Sequence, residues 1–375
     1  MTAVILILMM VALIYARPQL HNHILAGEPW LSRERTSFVN GFFIILVFLA
    51  HIQQYEYPHF PCERAILCAL IPGQLIVTTF FLYSGYGIMY SILRKGTPYV
   101  TTIITRRFPQ LFLNFSIAVL IFVALQYFMG KTYSIPHILL SFIGWHSVGN
   151  SNWFICMTLL AYVIVFASFS ICGPRRPRLS IALTTIMLMI GMTLICQVKA
   201  SYWCDTCLCI PAGMLFALYK ERIERLLLHM PIPTILLGLF LVVAGYVGYF
   251  YSCLSEFPYK CVSLLVANVG SVLFACGLTL VYGCVSLRRL PRFMVWIGGA
   301  ALFPMYIFQR VPMLIGSYLG VSNSHPQLYI AGCFVVCLLL AAIFQRIFAR
   351  LARLIFSVQA PATMSSSPQS GGGSQ

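Results

Sequence analysis

The sequence predicts an all-α, polytopic membrane protein, with a ten-helix core and one extra N-terminal helix ahead of it. Three observations predict that class. Of 375 residues, 60% are hydrophobic and only 9% are charged, where a soluble domain carries roughly 25% charged residues; mean hydropathy is +0.89. The apolar residues run in stretches long enough to cross a bilayer. The basic residues gather in short groups between those stretches, on alternate sides. Lipid offers the backbone no hydrogen bonds, so such stretches fold as helices.

In order along the chain, residues 2–16 (TAVILILMMVALIYA) form an uncharged apolar segment. No basic region precedes it and no small-x-small cleavage site follows, so a retained, short membrane helix is expected over a cleaved signal peptide. Arg17, Pro18 and a polar linker to Trp30 complete an N-terminal region, residues 1–32. Ten spans are expected at 37–55, 69–92, 108–129, 152–172, 179–197, 204–219, 232–252, 260–284, 294–318 and 327–349, which makes 33–356 one embedded core. The stretch 130–151 is too polar for a plain span and reads as a re-entrant or interfacial segment. Residues 357–375, rich in Ser, Gly and Gln from Pro361 onward, read as a disordered tail.

The charge pattern orients the core. Arg17, Arg33 and Arg35, then the groups at 94–107, 175–178, 220–225, 288–292 and 346–353, fall on one side of the expected spans. Arg64, Lys131, Lys199 and Lys260 fall on the other. By the positive-inside rule the crowded side is cytoplasmic, and Met1 is expected outside. The net charge of +16 does not point to nucleic acid, because no extended basic face with interleaved aromatics carries it. The fourteen cysteines lie mostly in apolar spans, as small hydrophobes. Cys204, Cys207 and Cys209 form a C-x2-C-x-C run, but no second Cys or His pair at metal spacing accompanies it, so no metal is expected.

Candidate chemistry sits where polar residues interrupt apolar runs. The stretch NGFFIILVFLAH opens at Asn40 and closes at His51, then continues through Gln53, Gln54 and Glu56. An ionisable group on such a helix marks a functional site by default, because hydrocarbon disfavours it; an interfacial, merely solvated histidine is the plainer alternative. Gln309 and Arg310 interrupt ALFPMYIFQRVPMLIG at a depth similar to His51. They line a cavity or tether the helix to carbonyls or to its snorkelled outer surface. None of the eight Asp and Glu residues lies mid-span, which counts against an ion-coupled transporter. Ser84, Gly85 and Gly87 let helices approach closely. Tyr99, Arg106 and Arg107 follow on the basic side; the paired arginines are topology signals or a clamp for a phosphorylated ligand. Trp153 and Phe154 read as an interfacial aromatic anchor.

Taken together, NGFFIILVFLAH, FFLYSGYG, RRFPQLF, NWFI, IPAGMLFALYKERIE and MYIFQRVP, in that order and spacing, resemble the acyltransferase 3 family of integral-membrane acyltransferases. The resemblance covers about residues 33–355 and makes the core a ten-helix acyltransferase core. Two positions depart from the family pattern: Asn40 stands where the family often has arginine, and Gln309 where it often has histidine.

The resemblance implies an O-acetyltransferase of the bacterial plasma membrane, moving an acetyl group from acetyl-CoA to a hydroxyl of an envelope glycan or its lipid-linked precursor. Acetyl-CoA is then the acyl-donor substrate, and the glycan and membrane lipid are the partners. His51 would act as general base, with Arg310 and Gln309 or Asn40 at the oxyanion. Arg106 and Arg107, with Ser84 and Tyr99, would bind the donor, and Glu56 and Trp153 the acceptor. Direct transfer and a covalent acetyl-histidine relay fit these residues alike. A transporter or flippase for a glycan lipid is the alternative. It predicts an inverted repeat between the chain halves, and none is evident. Nothing specific speaks for a membrane scaffold.

Overall fold

In a computed structural model the chain is described over residues 2–19, 30–56, 73–254 and 259–356. Glu56 contributes backbone to a helix, but its side chain, like the tail from residue 357, lies outside the described residues. The protein is an all-α, multi-pass membrane protein: eight described helices are long and apolar enough to cross a bilayer.

The elements are α1 (Thr2–Ala16), α2 (Arg33–Glu56) and α3 (Thr78–Lys95), the last led by a 3-10 turn Gly73–Val77. Then come α4 (Thr97–Phe128), α5 (Ile135–Phe142), α6 (Trp153–Cys172) and α7 (Pro177–Val198). After α8 (Cys209–Leu218) and α9 (Lys220–His229) follow the paired α10 (Pro231–Leu254) and α11 (Lys260–Gly283). The last are α12 (Arg292–Ile297), α13 (Leu302–Phe308), α14 (Arg310–Tyr318), α15 (Val321–Ser324) and α16 (Pro326–Phe356). Pro18–Gln19 pairs antiparallel with Ser286–Leu287 and ties α1 to the loop before α12.

Local chemistry sets the ends. Ser32 caps α2, its hydroxyl accepting the Arg35 N–H at 3.3 Å. Gly96, at φ 62°, turns the chain out of α3, and Pro98 starts α4.

Two expected spans look different in three dimensions. The region 204–219 holds only the ten-residue α8, and Tyr219 separates it from α9. The region 294–318 is three short helices. Pro304 and Pro312 explain the breaks: a helical proline leaves the carbonyl four residues earlier without its partner. Those carbonyls belong to Ala300 and Phe308, beside the interruptions at 298–301 and at Gln309. The 130–151 stretch resolves into the short α5 and a tight loop, with Ile135 and Leu139 exposed, as an interfacial helix requires.

Close packing aligns the helices that carry the site. A Cβ on Gly85 of α3 would strike the Ile210 carbonyl, and one on Gly213 of α8 the Leu82 carbonyl, so the two backbones touch. Gly87 faces open space. Arg35, counted in the sequence as a topology charge, is buried. Its guanidinium donates to the carbonyls of Trp30 (3.1 Å), Tyr282 (3.1 Å) and Val285 (2.6 Å), and so locks α2 to the end of α11.

Candidate functional site

Three cavities follow one another along α2, α3, α6 and α13. The first, of about 610 Å³, is lined by His51, Gln53 and Gln54 of α2, Gly73–Val77 residues, the loop residues Ser147, Asn150, Ser151 and Asn152, and Trp153, Tyr202, Tyr306 and Arg310. The second, a neck of about 260 Å³, is lined by Asn40, Tyr83, Ser84, Phe154, Phe303 and Tyr306 among others. The third, a vestibule of about 750 Å³, is lined by Arg33, Ser84, Arg107, Gln110, Asn114, Tyr162, Gln345 and Arg346 among others. Neck and vestibule share Ser84, Phe154, Ile155 and Phe303; neck and outer cavity share only Tyr306.

His51 lies on the last turns of α2, its ring 6.4 Å from that of Tyr306. Its Nδ1 is buried without a hydrogen-bond partner. Gln309 is fully buried beside it, donating from Nε2 to the Tyr306 carbonyl at 2.8 Å. Arg310 reaches across the cavity, donating to Ser151 Oγ at 3.0 Å, Gln54 Oε1 at 2.8 Å and the Tyr55 hydroxyl at 3.3 Å. All three partners are neutral, so the guanidinium keeps its charge available in the cavity. Packing of α14 against α2 makes this geometry, bringing Arg310 to Gln54 and Tyr55.

Buried polar atoms without partners cluster here. Asn40 Oδ1, His51 Nδ1, Gln53 Nε2, Asn150 Nδ2 and the Tyr306 hydroxyl are all unpartnered, and all belong to residues lining the neck or the outer cavity. Each such group costs about 1–3 kcal/mol. In polar cavities of this size water or a ligand relieves that cost.

The loop after α5 forms one wall. Asn150 and Asn152 hold it by hydrogen bonds to Val148 N–H (3.1 Å) and to the Gly144 carbonyl (2.8 Å). Lys199 donates to the Trp145 carbonyl at 2.8 Å, and His137 Nε2 to the Ser147 carbonyl at 3.0 Å. His137 and His146 stack with centroids 4.6 Å apart. Desolvation first, then Lys199 and His137, push the His146 pKa below the usual imidazole value.

The expected residues distribute as follows. His51, Arg310 and Trp153 line the outer cavity, with Gln309 behind them. Asn40 does not join them. It sits eleven residues back on α2, about 16 Å at 1.5 Å per residue, and lines the neck. It is therefore too far from His51 to serve the same reacting carbonyl. Ser84 and Arg107 line the vestibule, and Tyr99 lies under the Arg107 guanidinium at 5.1 Å. Arg106 is exposed and does not line it, because consecutive helical residues diverge by roughly 100°.

Sequence reasoning passed over Tyr306, Tyr202, the loop residues 147–152, and Arg33 and Arg346 as site residues. The arginines carried only a topology signal, and Tyr306 lay unremarked three residues before Gln309. Among the described residues, no group of three or more His, Cys, Asp or Glu could hold a metal ion.

Fold and site together define a multi-pass membrane protein with an arginine-lined vestibule at one end of a narrow neck and a histidine-bearing cavity at the other. No family model, curated protein or solved structure matches the chain.

Proposed function

We propose that this chain is an integral-membrane O-acetyltransferase of the acyltransferase 3 type, transferring acetyl from acetyl-CoA to a hydroxyl of an envelope glycan or its lipid-linked precursor at a bacterial plasma membrane. One observation carries the reading. The arginine-lined vestibule and the His51 cavity both adjoin one neck, which shares Ser84, Phe154, Ile155 and Phe303 with the first and Tyr306 with the second. The four stretches NGFFIILVFLAH, FFLYSGYG, NWFI and MYIFQRVP, which carried the resemblance, all contribute to the neck or the His51 cavity. Asn40 and His51, Phe80 and Ser84, Trp153 and Phe154, and Tyr306 and Arg310 are their wall residues.

By the positive-inside rule the vestibule faces the cytoplasm, where acetyl-CoA is made. Arg33, Arg107 and Arg346 offer guanidiniums to its phosphates. The thin pantetheine arm then runs through the neck past Ser84 and Asn40 to bring the thioester to Tyr306. The acceptor enters from the other face, its ring against Trp153 and Tyr202, which meet edge to face at 6.3 Å. His51 takes the proton of the attacking hydroxyl. The new C–O bond forms as the carbonyl oxygen becomes an oxyanion, held by Arg310 with the Tyr306 hydroxyl as neighbouring donor. The C–S bond then breaks, and the thiolate of CoA recovers the proton from His51.

Mass spectrometry of envelope glycans tests the reading, comparing cells that express the chain with cells that express His51→Ala at equal membrane level. The wild type adds an acetyl mass, and the variant loses it by about a hundredfold or more. Equal acetylation in both rejects His51 as the base; no acetyl gain in either rejects the enzyme and favours a transporter.

A further inference from the structure

The cytoplasmic vestibule has a second chamber. It measures about 550 Å³ and adjoins the first through Arg33 and Ala300, which line both. A hydrogen bond also links their walls: the Trp296 indole N–H, on the second chamber's wall, donates to Gln345 Oε1, on the first chamber's wall, at 2.9 Å. The second chamber carries Arg292, Glu34 and Ser37 beside Trp296. Its chemistry differs from that of the first. It combines a flat indole, a carboxylate that accepts from an amine, and guanidiniums that take a phosphate.

Resting on the donor reading above, we propose that this second chamber is the nucleotide subsite. The adenine lies against Trp296 with its exocyclic amine toward Glu34, and the ribose 3′-phosphate pairs with Arg292. Arg33, shared by both chambers, stands between that phosphate and the pyrophosphate at Arg107 and Arg346. Indole faces stack on planar bases in a sequence-tolerant way, and the guanidinium fork matches phosphate geometry. The division sets two anionic groups of one ligand against different arginines, Arg292 in one chamber and Arg107 and Arg346 in the other. Arg292 thereby becomes a specificity residue for the donor rather than a topology charge.

The test titrates the purified full chain with CoA and with 3′-dephospho-CoA. Wild type is expected to prefer CoA by about tenfold, the worth of one charge-assisted phosphate contact. Arg292→Gln binds both probes at the dephospho-CoA level. Arg107→Gln weakens both and keeps their ratio. Arg292 is exposed, so its replacement leaves the fold intact. As a second arm, Trp296→Leu lowers affinity for CoA while leaving that for 4′-phosphopantetheine unchanged. An Arg292→Gln protein that binds CoA and keeps the wild-type preference overturns the subsite and leaves the acetyltransferase standing. So does a Trp296→Leu protein with undiminished CoA affinity. A wild type that binds neither nucleotide overturns the donor reading and the subsite with it.

Discussion

At the residue scale, the two neighbouring arginines of RRFPQLF separate topology from chemistry. Arg107 lies over the Tyr99 ring and lines the vestibule, while Arg106 is exposed. Arg107→Ala is therefore expected to weaken acetyl-CoA binding about tenfold and to make it less sensitive to salt. Arg106→Ala should leave both unchanged within about twofold, as surface charges usually do. Titration of both variants at two salt concentrations measures this; equal losses would move the donor away from Arg107. Arg35 is a third case. It donates to three backbone carbonyls and lies 4.6 Å from the centre of the Tyr282 ring. Losing that guanidinium removes three hydrogen bonds to backbone carbonyls, one of them buried, so Arg35→Ala is expected to lower the melting temperature and the membrane level of the protein. A well-folded, inactive Arg35→Ala protein would instead give Arg35 a role in the reaction.

At the element scale, the α3–α8 contact and the loop 143–152 decide the shape of the site. Gly85→Val forces a side chain into the Ile210 carbonyl and is expected to cost about 1–3 kcal/mol, seen as a lower melting temperature in detergent. Gly87→Ala, facing open space, should melt as the wild type does. The loop answers to pH. His146 binds its proton less readily in the fold than free in solution, because of its desolvation first and then its neighbours Lys199 and His137. The sign follows from linkage. The stability held with His146 neutral is complete above the ordinary imidazole pKa, about 6.5, and is lost as pH falls through and below it. Melting temperature should fall between about pH 7.5 and about pH 5.5, and fall less in His146→Gln. A His146→Gln protein with the wild-type pH dependence would assign that loss to other groups.

For the whole molecule, the set of three adjoining cavities is the property that no helix holds alone. Among the described residues Tyr306 alone is common to neck and outer cavity, and Ser84 is common to neck and vestibule. Filling the neck should therefore uncouple the two ends. Ser84→Trp is expected to abolish acetyl transfer while CoA still binds the arginines. The assay pairs CoA titration with glycan mass spectrometry on the same preparation, and retained transfer would show that the acyl group takes another route.

The class of this protein follows from its composition. Hydropathy and the grouping of arginines suffice for helices in a bilayer, because lipid leaves the backbone one way to satisfy itself. They also single out His51, Gln309 and Arg310, since polar residues in apolar runs are few enough to see. What they could not reveal is which of those residues meet. Asn40 and His51 share one helix and one motif, yet the rise of that helix carries them to different cavities, the neck and the outer one. Arg310 and Gln54 lie 256 residues apart, yet bond at 2.8 Å, because α14 packs against α2. Trp296 and Gln345, each unremarkable in its own apolar run, become hydrogen-bonded partners at 2.9 Å only in the folded bundle. Hydrophobic period fixes a residue's surroundings as lipid or protein; its neighbours across the bundle are chosen by side-chain packing and backbone breaks, which exist only once all the helices are assembled.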